Sequence, residues 1–214
     1  MKLSTTPLTL TEISDCIKNW EKIRTTYEGV KMFLNAAPSY VFQKSNPEQV
    51  ENFHVYPGVH PETNACYIFL ISEDKDKKQD SKKELYDAII QCPLGQFSNT
   101  PPDTIPEKEA LHRIENWAKN RLDWAKIQMK SATGMFMAYN MPASYVQTDV
   151  KYETFFALKD KEDAPDNRVA DLVTVEYEAV HKVFYDVVRP VPPFDFAPMS
   201  SFYLLTGDFL GSEN

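Results

Sequence analysis

Apolar residues at three- and four-residue steps mark two long helices in this chain. Ile13, Cys16, Ile17, Trp20, Ile23 and Tyr27 share one helical face, behind Thr9 and Glu12 at capping-box spacing and ahead of Gly29, which is expected to end the helix. Leu111, Ile114, Ala118, Leu122, Ala125 and Met129 form a second stripe, with Trp117 and Trp124 beside it. Thr104 and Glu107 supply the capping spacing there, Pro106 sits in the first turn, and the helix is expected to run to about Lys130. Short apolar runs predict strands behind the first helix at Val30 to Leu34, Phe53 to Tyr56, Ala65 to Ser72 and Leu85 to Ile90. The corresponding runs behind the second are Met135 to Ala138, Lys151 to Leu158, Val169 to Glu178 and Val183 to Val188. Glu73 to Glu84 and Lys159 to Asn167 are charged stretches that read as solvated, and Phe202 to Leu205 is apolar enough to add a strand.

The two series carry matching landmarks about one hundred residues apart, the length of a small domain. Ile17-Lys18-Asn19-Trp20 returns as Ile114-Glu115-Asn116-Trp117, Met32-Phe33 as Met135-Phe136, Pro38-Ser39-Tyr40-Val41 as Pro142-Ala143-Ser144-Tyr145-Val146, and Tyr86-Asp87 as Tyr185-Asp186. The expected fold class is therefore α+β with two tandem repeats, each a long N-terminal helix packed on a small antiparallel sheet. The repeats span 9–93 and 104–199, with a Pro-containing linker at 94–103 and a tail at 200–214. Trp20 and Trp117 are expected at equivalent core positions. A fused pair of domains replaces a symmetric dimer, so a monomer with an intramolecular pseudo-dimer is expected.

A helix, a hairpin and a closing Tyr-Asp strand that runs into Pro190, Pro192 and Pro193 resemble uncharacterised single-domain bacterial α+β proteins with a Pro-rich tail. Val191 stands where those proteins often carry the Cys of a Cys-Pro-Pro ending. The resemblance implies architecture and no activity.

A net charge of −8 disfavours nucleic acid and anionic membrane, both of which need a basic surface. No apolar run approaches the roughly 18 residues of a membrane span, the N-terminus lacks the apolar core of a signal peptide, and a cytoplasmic location is expected. Cys16, Cys66 and Cys92 make no C-x-x-C pair and read as buried, reduced thiols. With six glycines and no phosphate loop, nucleophile elbow or H-E-x-x-H, no cofactor is expected.

Four groups could carry chemistry. Glu176, Glu178 and His181 could bring two carboxylates and an imidazole to one strand face for acid/base work. His54, on the other hairpin, is the next candidate, because a specific site should draw on polar residues unmatched between the copies. Glu109 and His112 have helical metal-ligand spacing, but Glu12 and Asp15 answer them without a second histidine, so no metal is expected. His60 reads as a turn residue, and Asp87 and Asp186 as holders of backbone N–H groups. These observations favour a non-catalytic interaction protein with a protein partner. The alternative is a small-molecule enzyme or ligand-binding protein with a cleft between the repeats.

Overall fold

The computed structural model describes residues 7–44, 50–94, 105–131, 134–143, 145–161, 164–177, 184–186, 189–191 and 202–206. Helix α1 (Leu10–Ile23) opens on a complete capping box: the Glu12 amide donates to Thr9 Oγ1 at 3.3 Å, and the Thr9 amide donates to the Glu12 carboxylate at 2.7 Å. The run predicted as a strand from Val30 forms a second helix instead, α2 (Tyr27–Leu34), capped by Thr26. Its buried residues are Val30, Phe33 and Leu34, a spacing that fits one helical face and not an alternating strand. Gly29 lies inside α2 and does not end α1. A Cβ there would stand 2.4 Å from the Ile23 carbonyl oxygen, so only glycine lets the two helices approach this closely.

The chain continues through β1 (Ser39–Gln43), β2 (Asn52–Val59), β3 (Cys66–Ser72), α3 (Lys82–Ala88) and β4 (Ile90–Pro93). It then forms α4 (Glu107–Gln128), β5 (Ala138–Pro142), β6 (Lys151–Lys161), β7 (Ala164–Glu176), β8 (Phe184–Asp186), β9 (Arg189–Val191) and the single turn α5 (Tyr203–Thr206). Four local expectations are corrected. The stretch from Leu85 is helical, because Ser81 and Glu84 make a capping box at the end of the charged run. Pro106 is the N-cap of α4 without a side-chain cap, and Thr104 lies outside the described residues. Met135 and Phe136 precede β5, since their carbonyls accept from Arg24 Nη1 at 2.7 Å and Trp20 Nε1 at 3.2 Å instead of entering a ladder. The tail turns into α5 and adds no strand.

Two antiparallel sheets result, ordered β1-β6-β7-β8 and β4-β3-β2-β5-β9. Each contains a hairpin from one half of the chain and one or two strands from the other: β1 pairs with β6, and β5, followed by β9, pairs with β2. The halves therefore do not close sheets of their own. Ile17 to Trp20 in α1 and Ile114 to Trp117 in α4 fall on like elements, but two other matched motifs do not, with Met32-Phe33 in α2 but Met135-Phe136 ahead of β5, and Tyr86-Asp87 in α3 but Tyr185-Asp186 in β8.

One apolar core draws on both sheets: Tyr40, Phe42, Phe156 and Leu172 from one, and Phe53, Val55, Ile68, Leu70 and Tyr139 from the other. Trp20 and Trp117 are both in it, at 1% and 2% exposure. α1 covers the outer face of the five-stranded sheet with Ile13, Cys16 and Ile17, joined there by Leu85, Phe202 and Leu204. Ile105 and Ala110 meet Val173 and Phe184 on the outer face of the four-stranded sheet. The three cysteines are free and buried, and burial pushes the Cys16 and Cys66 thiols up to about 12. Such thiols are poor nucleophiles. No helix among the described residues is long and apolar enough to cross a membrane.

Candidate functional site

The charged run after β3 hides the residue around which the molecule's main polar cluster forms. A turn closed by the Lys75 and Asp76 amides on the Ser72 carbonyl swings Asp76 back over the sheet, where it is 4% exposed. Its Oδ2 lies 2.6 Å from His54 Nδ1 and accepts from the Tyr56 hydroxyl. The same oxygen accepts from the Tyr203 amide at 3.2 Å, and Oδ1 accepts from the Leu204 amide at 3.2 Å. Phe202 stacks on the His54 ring with centroids 4.0 Å apart. His54 and Tyr56 are two apart on β2 and so share a face, while the tail supplies the rest.

This arrangement has the hydrogen bond of an Asp–His dyad, but the imidazole is fully buried and Asp76 spends its lone pairs on holding α5. Burial, then the Asp76 charge and its hydrogen bond, raise the Tyr56 phenol well above its ordinary range, so it stays a donor. His54 Nε2 has no hydrogen-bond partner among the described residues, and neither does Oδ1 of Asn140, its register partner on β5.

The other candidates are dispersed. Glu176 is half-buried at the end of β7, opposite Tyr152, and its carboxylate, after burial, raises the Tyr185 phenol. Glu178 and His181 lie outside the described residues. Glu109 accepts from Arg113 Nε at 2.8 Å, while His112 Nε2 lies 3.2 Å from Asp160 Oδ2 and 3.1 Å from Asn116 Nδ2, so the helical pair turns to different partners. Among the described residues no group of three metal-ligating side chains converges. His60 Nδ1 accepts from the Glu62 and Thr63 amides at 3.3 and 3.4 Å, as a turn residue does. Among the described residues Asp87 pairs with Lys83 and not with backbone N–H groups, and the side chain of Asp186 lies outside them.

Sequence reasoning named His54 and missed Asp76, Tyr56, Phe202 and the ion pair Arg113–Asp171. In that pair Nη1 meets Oδ2 at 3.0 Å, and Oδ1 accepts from the Leu172 amide. The period-two spacing of His54 and Tyr56 was a usable signal; Asp76 gave none in a run of like residues. A separate open groove of about 730 Å³ lies along the start of α4, lined by Pro106, Lys108, Glu109, Leu111, His112 and Glu115.

The fold and cluster define an α+β protein of two antiparallel sheets with strands contributed across the halves. No family model, curated protein or solved structure matches the chain.

Proposed function

We propose that the chain is a non-catalytic binding protein, a tandem duplication fused into an intramolecular pseudo-dimer, that engages a protein partner from the cytoplasm. The observation that carries this reading is where the titratable groups go. The buried ones found together, His54 with Asp76 and Arg113 with Asp171, are committed to holding the tail and α4 in place. The exposed ones around the α4 groove carry both signs, Lys108 against Glu109 and Glu115, with His112 among them and Pro106 and Leu111 as apolar contacts. A mixed-charge groove open along a helix suits an extended protein segment of complementary charge better than an enclosed metabolite.

The duplication is supported by the strand orders, in which β5-β2-β3-β4 answers β1-β6-β7-β8, with β9 added beside β5. Fusion in this form carries one strand, β1, one way and two, β5 and β9, the other. Chains cut between 94 and 104 and expressed as two halves should each remain unfolded and should assemble one-to-one on mixing. Two halves that fold separately would overturn the exchanged pseudo-dimer. A thermal-shift screen against metals, nucleotides and common metabolites tests the non-catalytic reading, because any true ligand raises the melting temperature by mass action. A flat screen is expected, and a saturable rise with one metabolite would favour the enzyme instead.

A further inference from the structure

We propose that His54 Nε2 and Asn140 Oδ1 together hold one small hydrogen-bonding occupant, a water molecule buried beneath α5. The two residues are directly opposed on β2 and β5, so their side chains leave the same face of the sheet. His54 is fully buried, Asn140 half-buried, and neither Nε2 nor Oδ1 has a partner among the described residues. Buried polar atoms left unpaired are costly, and two at neighbouring positions are most simply satisfied by one shared group.

The bonding around Asp76 fixes what that group must be. Backbone amides can only donate, and those of Tyr203 and Leu204 occupy one oxygen each, so Asp76 acts as an acceptor at both. His54 Nδ1 therefore carries the proton toward Oδ2. With a neutral imidazole, Nε2 is then an acceptor facing a second acceptor, Asn140 Oδ1, and only a species with two donors serves both. With an imidazolium, Nε2 donates and Oδ1 accepts, yet no hydrogen bond joins them, and a group that accepts from one and donates to the other is needed. Water fits both protonation states; an ammonium ion fits only the first.

The test is rotating-frame cross-relaxation between water and the His54 ring hydrogens in the labelled protein. A long-lived water cross-peak is expected, and it should vanish in Asn140→Leu while the Tyr203 and Leu204 amide shifts stay in place. Should that variant fail to fold, Asn140→Ala serves, and the wild-type measurement stands without either. Absence of the cross-peak in the folded wild type, its persistence in a folded variant, or a scalar coupling directly across Nε2–H···Oδ1 would each overturn the proposal. A shift of the His54 ring signals in ammonium chloride but not in sodium chloride would overturn water as the occupant.

Discussion

The helices that cover the two sheets are fastened by different chemistry. α4 adds charge to carbonyl bonds: Arg113 reaches Asp171 on β7 and Glu109 one turn back on its own helix, while Trp124 Nε1 donates to the Arg168 carbonyl at 2.9 Å and Arg121 Nε to that of Leu34 at 3.1 Å. α1 is fixed by donors to carbonyls, with Asn19 Nδ2 on Val59 at 3.0 Å, Trp20 Nε1 on Phe136 and Arg24 Nη1 on Met135. The ion pair stays within the second half of the chain, whereas carbonyl bonds cross between the halves from both helices, two from α1 and one from α4. An ion pair needs its partner charge close and tolerates no substitute, while a carbonyl is available wherever the backbone passes. Charge thus seats a helix locally, while carbonyl bonds seat both helices across the molecule.

Replacing the buried acids should give the largest contrast. Asp76→Ala strips partners from His54, Tyr56 and two amides of α5 at once, and should cost about 3–5 kcal/mol in urea unfolding, as breaking a buried charged cluster does. Amide exchange at Tyr203 and Leu204 should accelerate with it. Asp171→Ala leaves Arg113 its Glu109 contact and should cost less, about 1–3 kcal/mol, without touching the tail. Equal costs would erase the distinction. The tryptophans sharpen it next. Trp20→Phe orphans the Phe136 carbonyl, whereas the Trp117 indole N–H is buried without a partner among the described residues and loses nothing by removal. Trp20→Phe should therefore be the more destabilising of the two by about 1–2 kcal/mol.

Helix starts follow. Thr9→Ala breaks the α1 capping box and should cost about 1 kcal/mol, while Pro106→Ser supplies α4 with the cap it lacks and should stabilise by about 0.5–1 kcal/mol. Thermal unfolding of both variants reads the pair. The smallest effect concerns pH. Burial pushes the Asp160 carboxyl up, but its hydrogen bonds to Arg168 and His112 outweigh this and hold it below its ordinary value. A depressed carboxylate stabilises the fold above its unfolded value and loses that contribution as pH falls through the folded one. Asp160→Asn should flatten the acid limb of the stability curve slightly, and an unchanged limb would show that solvent screens the cluster completely.

Helix positions were legible where the apolar period was long, as in α1 and α4, and the α+β class followed from them. Short apolar runs misled, because Val30 to Leu34 supports either period and only the Thr26 cap and the tight contact at Gly29 decide for a helix. The paired motifs misled in part: Ile17 to Trp20 and Ile114 to Trp117 do lie on α1 and α4, but Met32-Phe33 and Met135-Phe136, like the two Tyr-Asp pairs, occupy unlike elements. His54 was found as a polar residue unmatched between the two halves; its partner Asp76 was hidden because a buried aspartate looks no different from its solvated neighbours until a turn folds it inward. No local pattern reports a contact between residues as far apart as 76 and 204.

The strand exchange also sets a condition on how the molecule is made. On the ribosome, β2 is complete long before its neighbour β5 emerges, and at 5–20 residues per second the wait is roughly ten seconds. β1 waits similarly for β6. During that interval the nascent chain presents the apolar hairpin β2–β3 with one ladder edge unfilled, the kind of edge that recruits other strands. Translation speed through the region around α4, and chaperone capture of the first half, should therefore govern the yield of this protein more strongly than its final stability does.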